Sequence, residues 1–288
     1  MTSFVNYNGK LVDASAPLLS VSNRGFRFGD SVFETIRIMN GQILFLNDHI
    51  ARLIKGITAL KMELSADYTL DFFQSKINEL VAANKITAGG RIRLTVFRNG
   101  DEFYTPHDNS TSYMIEAYII EDNEYLINAK GYNIDIFNEI KKQQNSLSPI
   151  KSGNSLLYVL AGAHKMKNQL DDCIIMNTKG DVIESISSNI FAVKNGVLYT
   201  PPVIEGCVDG VLRKKIIEVA FKNRIAVYEI NLAQSVLLSA DELFLTNVVS
   251  GLRWVGAYKN KRYFNNTSKL LTDKLNEYIS VKKENLSS

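Results

Sequence analysis

Lys151 stands in a setting that differs from that of most lysines in the chain. It follows Pro149 and Ile150 within residues 148–154, and the proline restricts the backbone just before it. A lysine amine whose surroundings favour the neutral form can attack a carbonyl and form a Schiff base. An ordinary surface lysine before a helix is the commoner case, so this segment alone leaves both interpretations open.

A carboxylate, Glu184, is the second candidate for chemistry. It lies in a predicted strand over residues 182–193, which leaves a turn at residues 177–180 and contains the small polar residues Ser188 and Asn189. A carboxylate that faces a pyridine nitrogen keeps that nitrogen protonated and makes the ring an electron sink. A solvated strand position is the commoner setting for a glutamate, so Glu184 also has a structural alternative.

Several further segments could bind an oxyanion such as a phosphate. Gly210 precedes a predicted helix over residues 212–223, and the first backbone N–H groups of a helix attract negative charge. Arg52 lies on another predicted helix and could donate two hydrogen bonds to the same anion. A plain helix start and a surface arginine are the structural alternatives. The remaining backbone and side-chain candidates are Val211, Leu212, Asn247 and Val248.

The composition argues against several other classes of function. The chain has 288 residues with 33 Lys and Arg against 30 Asp and Glu, and a near-balance of charge gives no basis for nucleic acid or a membrane surface as main partner. No apolar run approaches the roughly 18 residues of a membrane span. The three histidines lack zinc-type partners, so we expect no metal. Two cysteines cannot form a disulfide framework, and we expect a cytoplasmic protein.

Two domains of mixed α/β structure are expected to position these residues. The hydrophobic fraction of 45% is enough for two ordinary cores, and the polar stretch 121–124 is the best linker candidate. We therefore expect one domain over residues 1–120 and another over residues 121–288. The turn pair Asn8-Gly9 predicts a β-hairpin at the start of the chain. Asn47 or Asp48 is expected to cap the helix that carries Arg52.

The order and spacing of these motifs resemble the fold-type IV enzymes of pyridoxal 5'-phosphate (PLP), also called class IV aminotransferases. The motifs are H-x-x-R-L at Arg52, K-S-x-N at Lys151, E-x-x-x-S-N at Glu184 and G-V-x-R at Gly210. The likeness extends to residues 24–25, 28–35 and 241–247, and so covers nearly the whole chain.

The resemblance implies a cofactor, PLP, and a role for each motif. Lys151 forms the Schiff base and later moves a proton, and Glu184 pairs with the pyridinium nitrogen. The implied cofactor-binding residues besides these two are Arg52, Ser188, Asn189, Val211, Leu212, Asn247 and Val248. The implied fold has a smaller α/β N-terminal domain and a larger, barrel-like C-terminal domain. A homodimer that acts on a small amino substrate is also implied.

The motifs favour a lyase branch of this family and leave two alternatives open. Leu156 and Phe33 replace tyrosines typical of branched-chain and of D-amino acid aminotransferases, respectively. Leu212, where many aminotransferases have threonine, and the K-x-x-N spacing resemble 4-amino-4-deoxychorismate lyase, which releases pyruvate and p-aminobenzoate for folate synthesis. The alternatives are an amino acid transaminase, of branched-chain or D-amino acid type, and a non-catalytic PLP-binding protein. Phe33 and Arg98 are the expected substrate-binding residues, with a hairpin-flanking structural role as the alternative for Arg98.

Overall fold

The structure is a computed structural model that describes residues 3–284, and it divides into two compact units. The first unit extends to Asn123 and also contains Ile150–Ser155. The second contains Glu124–Pro149 and the described chain from Leu156 onward. The division lies near the expected boundary at residue 120, but the segment that carries Lys151 was expected in the C-terminal domain and lies in the first unit instead.

An antiparallel sheet of six strands forms the centre of the first unit. Asn8 and Gly9 have φ angles of 48° and 86° and join the first two strands, as the two-residue turn predicts. In the order β2-β1-β6-β5-β3-β4, the strand bounds are β1 Phe4–Tyr7, β2 Lys10–Asp13, β3 Ser31–Met39, β4 Gln42–Ile43, β5 Gly90–Arg98 and β6 Thr111–Ile119.

The alternation of side chains along β3 and β5 gives this sheet two different faces. One face, with Ile36 and Leu94, packs against Leu53 and Ile77 in a core of buried apolar residues. The opposite face carries Phe33 and its neighbours on the paired strands. The helices of the unit are α1 Arg24–Phe28, α2 Leu46–Ala59 and α3 Leu70–Ala83.

Helix α2 begins without the expected side-chain cap. It starts at Leu46, directly after the N-cap residue Phe45, whose φ of 54° is left-handed and whose side chain makes no cap hydrogen bond. The expectation that Asn47 or Asp48 caps this helix was therefore wrong. The left-handed residue turns the chain into the helix early, so both polar residues lie inside the first turn.

The segment Ile150–Ser155 joins the first unit because it pairs with the start of β3. Phe33 N donates to Lys151 O at 2.9 Å, and Gly153 N donates to Ser31 O at 2.8 Å. A Cβ on Gly153 would lie 2.3 Å from Ser31 Oγ, so this close approach requires glycine. These backbone contacts fix Lys151 beside Phe33.

A closed barrel of six strands forms the centre of the second unit. Hydrogen-bonded neighbours run β10-β14-β15-β7-β8-β9, and a single pairing of Asn189 with Glu184 returns β9 to β10. The expectation of a barrel-like C-terminal domain is confirmed. The bounds of these strands are β7 Tyr132–Lys142, β8 Asp172–Asn177, β9 Asp181–Ser185, β10 Asn189–Lys194, β14 Glu242–Asn247 and β15 Gly251–Tyr258.

The remaining elements of this unit surround the barrel or extend its sheet. The helices are α4 Leu156–Lys167, α5 Val211–Lys222, α6 Gln234–Ser239 and α7 Asn266–Glu284, with a 3-10 turn at Val203–Glu205. The short strands are β11 Val197–Thr200, β12 Val227–Glu229, β13 Leu232–Ala233 and β16 Lys261–Arg262. Within residues 3–284, none of the helices has both the length and the apolar character needed to cross a membrane.

Candidate functional site

Lys151 lies against an aromatic ring in the first unit. Its Nζ is 4.3 Å from the centroid of the Phe33 ring, and the guanidinium carbon of Arg93 is 3.9 Å from the same centroid. A ring face attracts cations and gives the lysine amine an apolar neighbour. Phe33, expected to bind substrate, thus contacts the candidate lysine. Arg93 was missed because only the pairing of β3 with β5 brings it to this face.

Arg52 is oriented by a buried carboxylate in the same unit. Its Nε donates to Glu34 Oε1 at 2.8 Å, and its Nη2 donates to Glu34 Oε2 at 2.5 Å. His49, one helical turn earlier, contacts the same Oε2 through Nδ1 at 2.6 Å. This two-pronged contact fixes the plane of the guanidinium. His49 and Arg52 are three positions apart and so share a helix face, but the motif H-x-x-R did not identify Glu34 as their partner.

The charges in this cluster are held in one arrangement. Burial raises the pKa of Glu34, but the charge and hydrogen bonds of Arg52, with the hydrogen bond of His49, lower it to about 2. Burial is also the main reason that the pKa of His49 is lowered. A neutral His49 donates from Nδ1 to Glu34, which leaves Nε2 unprotonated. That nitrogen is buried and has no hydrogen-bond partner among the described residues.

Glu34→Gln is expected to weaken the acid dependence of stability. The pKa of Glu34 is about 2 in the folded protein against an ordinary value of 4.5, so its ionised form stabilises the fold above pH 4.5, and this stabilisation is lost as the pH falls towards 2. The difference corresponds to about 3 kcal/mol. Urea unfolding between pH 7 and pH 2.5 measures it. Glu79→Gln, at an exposed helix position, is the control, and parallel profiles for wild type and Glu34→Gln would contradict the prediction.

Arg98 is enclosed by acceptors of its own unit. Its Nε donates to Asp30 Oδ2 at 2.9 Å, and its Nη2 donates to Leu60 O at 2.6 Å. Its Nη1 donates to Lys61 O at 3.2 Å and also to the Asn109 side chain. These contacts occupy the guanidinium donors, so they favour the structural role for Arg98 over the expected role in carboxylate binding.

Glu184 is buried in the second unit and accepts three hydrogen bonds. Its Oε1 accepts from Lys142 Nζ at 2.7 Å and from Tyr158 OH at 2.8 Å. Its Oε2 accepts from Val208 N at 2.8 Å. A carboxylate offers about four acceptor positions, so one remains on Oε2. That position is suited to a protonated ring nitrogen.

The start of α5 lies next to Glu184 and has the features of an anion site. No side chain caps this helix, whose first residue is Val211. A Cβ on Gly210 would lie 1.9 Å from Asn189 Oδ1, so glycine is required where the chain enters the helix. Asn189 also pairs with Glu184 in the barrel and donates from Nδ2 to Val208 O at 2.8 Å. Together these contacts bring the backbone N–H groups at Val211 and Leu212 close to β9, the strand that carries Glu184.

The end of β14 completes this group of candidates. Asn247 donates from Nδ2 to Ser188 Oγ at 2.9 Å, and its Oδ1 accepts from the backbone N of Val249 and of Ser250 at 3.0 and 2.9 Å. The Asn247 side chain therefore shapes the turn after the strand. Thr246, which pairs with Asn189, has a buried Oγ1 without a hydrogen-bond partner among the described residues. Sequence reasoning did not single out this hydroxyl.

The residues of the second unit fit a phosphorylated pyridine. Glu184 offers an acceptor for the ring nitrogen. The uncapped start of α5 and the Thr246 hydroxyl offer donors for a phosphate. In the first unit, Lys151 provides an amine beside an aromatic ring, and Arg52 provides an oriented guanidinium. Each of these groups has the chemistry that PLP would need from it.

The sequence resembles those of known aminotransferases over most of its length. The family model described as amino-transferase class IV matches residues 31–258. A D-alanine aminotransferase of Bacillus licheniformis is 29% identical over 85% of this chain and 85% of its own length. A Methanocaldococcus jannaschii protein assigned as a branched-chain-amino-acid aminotransferase is 31% identical over 84% of this chain and 83% of its own length.

Solved structures share the fold over nearly the whole chain. A branched-chain amino acid aminotransferase of Thermobaculum terrenum in its PLP form has a TM-score of 0.85 at 21% identity, over 96% of this chain and 94% of that one. A Legionella pneumophila protein assigned as a 4-amino-4-deoxychorismate lyase has a TM-score of 0.80 at 24% identity, over 93% and 96%. The family model covers most of the length of this chain. The chain therefore belongs to the class IV aminotransferase family, whose members are PLP-dependent enzymes.

Proposed function

We propose that this PLP enzyme is an amino acid transaminase, of the D-amino acid or branched-chain type. The observation that carries the proposal is the likeness to aminotransferases named for D-alanine and for branched-chain amino acids, each over more than four fifths of both chains. The lyase, which the motifs at Lys151 and Leu212 favoured, becomes the second candidate. Its structural neighbour is under 25% identical and supports the fold alone.

Different residues of this chain perform different parts of the proposed reaction. Bound PLP supplies an electron sink that stabilises negative charge at the carbon next to the amino group. Lys151 Nζ would hold the cofactor covalently, and as a free amine it would move a proton as general base and acid. Glu184 Oε2 holds the proton on the ring nitrogen. We propose the start of α5 as a phosphate-binding element of the second unit and Arg52 as a phosphate-binding residue of the first.

Arg52→Ala is expected to weaken PLP binding by about 1.5–3 kcal/mol, the range for a hydrogen bond to a charged group. Equilibrium dialysis with PLP measures the change. The substitution also leaves the buried Glu34 without its main partner, so Arg52→Lys, which keeps a positive charge but lacks the planar fork, should fold better and show an intermediate affinity. Arg27→Ala, at an exposed position of α1, is the control. Unchanged affinity in both Arg52 variants would remove this residue from the cofactor site.

The choice between transaminase and lyase is made by one pair of assays. We expect transfer of the amino group from D-alanine or from a branched-chain amino acid to 2-oxoglutarate, measured as the new keto acid. We expect no pyruvate from 4-amino-4-deoxychorismate when no keto acid is added. Release of pyruvate without an added keto acid, together with no transfer to 2-oxoglutarate, would replace the transaminase with the lyase.

One observation favours the lyase as the second candidate. The aromatic ring beside Lys151 belongs to Phe33, and a phenylalanine has no hydroxyl of its own to bind a substrate carboxylate. A D-amino acid transaminase of this chain must therefore bind the carboxylate through other groups. The assays above test this alternative directly.

We also propose that the enzyme is a cytoplasmic homodimer. Helix α4 exposes four large apolar side chains, and exposed apolar patches commonly mark association sites. They are Leu156, Val159, Leu160 and Met166. Both cysteines are buried and unpaired, which suits a reducing compartment. Light scattering of the purified protein should give the mass of two chains, and Val159→Asp should give one. A monomeric wild type would contradict the proposal.

A further inference from the structure

The environment of Glu184 bears on how strongly the enzyme holds the ring-nitrogen proton. Glu184 is 3% exposed, and the three groups that donate hydrogen bonds to its carboxylate come from three different parts of the second unit. Lys142 ends β7, Tyr158 lies on α4, and Val208 precedes α5. The carboxylate is therefore held in one orientation by contacts from three separate elements.

The two donors on Oε1 differ in charge. Lys142 Nζ lies 2.7 Å from Oε1 and brings a positive charge, and its side chain is 14% exposed. Tyr158 OH lies 2.8 Å from the same oxygen, and its ring contacts the Lys142 ammonium, with 5.5 Å between Nζ and the ring centroid. Both donors draw negative charge towards Oε1 and away from Oε2, the oxygen with the remaining acceptor position.

Burial, with the charge of Glu184, raises the pKa of the Tyr158 hydroxyl, so this group stays protonated and acts as a donor only. Cys207 is the third titratable group near the carboxylate. Burial and the charge of Glu184 raise the pKa of its thiol to about 12, so it is neutral too. Among the groups that hydrogen-bond Glu184, Lys142 is thus the one that brings a positive charge, whereas Arg213, whose charge reaches Cys207, is paired with Glu229.

We propose that Lys142 and Tyr158 are positioning residues that act through Glu184 to weaken its hold on the ring-nitrogen proton. This inference rests on the proposed role of Glu184. A carboxylate that already faces an ammonium stabilises a second cation less than a lone carboxylate does. The Glu184 carboxylate would then lie between two cations, the Lys142 ammonium at Oε1 and the protonated ring nitrogen at Oε2. The proton on the cofactor ring is therefore held loosely enough to leave within the working pH range.

The test uses the PLP-loaded protein with ¹⁵N in the pyridine ring. The ¹⁵N chemical shift is followed from pH 6 to pH 10, because it reports directly whether the ring nitrogen is protonated. In the wild type we expect a midpoint within this range. Lys142→Met should raise the midpoint by about one pH unit, since it removes a nearby like charge. Tyr158→Phe keeps the ring and removes only the hydroxyl, and it should raise the midpoint by less.

Two control variants separate this inference from a purely structural role. Lys142→Arg keeps the charge and should restore the wild-type midpoint. Lys179→Met removes a lysine of the same unit that contacts Glu205 instead and is 58% exposed, so it should leave the midpoint unchanged. If both residues merely support the fold, their variants would lower the melting temperature and leave the midpoint where it was.

The possible failures are distinguishable. A wild type whose ring nitrogen stays protonated to pH 10, or a Lys142→Met variant with the wild-type midpoint, overturns the present inference alone. A ring nitrogen whose titration does not change in Glu184→Gln overturns the proposed role of Glu184 itself.

Discussion

Lys151→Ala is expected to abolish both the covalent attachment of PLP and all turnover. The physical reason is that the amine is both the point of attachment and the group that moves the proton, and alanine supplies neither. Borohydride reduction of the PLP-loaded protein, followed by digestion and mass spectrometry, should find the cofactor on the peptide that contains Lys151. The variant should show no labelled peptide.

Two controls make this result specific. Lys55→Ala removes an exposed lysine on α2 of the same unit and should leave both labelling and turnover unchanged. A small primary amine added to Lys151→Ala should restore a little turnover, because it replaces the lost base. Covalent labelling of the Lys151→Ala protein at another lysine, with turnover retained, would end the assignment.

Glu184→Gln is expected to lower turnover by about a hundredfold or more, as loss of one preorganised electrostatic group commonly does. The amide has no negative charge with which to hold the ring-nitrogen proton. It also leaves the Lys142 ammonium largely buried and without its carboxylate, which should cost about 3–5 kcal/mol of stability. Turnover at saturating PLP and urea unfolding measure the two effects separately.

The double variant Glu184→Gln with Lys142→Met separates stability from catalysis. Removing both partners takes away the uncompensated charge, so most of the lost stability should return. Turnover should stay low, because the carboxylate is still absent. Recovery of turnover along with stability would mean that Glu184 serves the fold and has no part in the reaction.

Local signals in the sequence predicted the elements that depend on a few neighbouring residues. The Asn8-Gly9 turn predicted the first hairpin, and Gly210 predicted the start of α5 within one residue. The start of α2 was not predictable in this way. It depends on one left-handed residue, Phe45, and an aromatic residue is an unusual choice for that conformation.

Contacts between distant residues account for most of what the sequence did not reveal. Glu34 and Arg52 are 18 positions apart, and Lys142 and Glu184 are 42 positions apart. Such pairs follow from strand register and helix packing, which a single sequence does not determine. The position of Lys151 in the first unit has the same origin, since it depends on backbone bonds to β3. The partners that orient the candidate residues were therefore not predictable from the sequence.

The barrel of the second unit closes through one residue pair, and that pair includes Glu184. Three residues link β9 to β10 and Ser185 N donates to Ser188 O at 2.7 Å, so the closure depends on one short connection, and local unfolding of that connection would carry the carboxylate away from the start of α5. Cofactor occupancy and closure of the barrel are then thermodynamically linked, because a ligand that binds the closed form alone makes the open form rarer. In hydrogen-exchange terms, amide protons beside this connection should exchange more slowly as PLP is added, while those at the far strands of the barrel should change little.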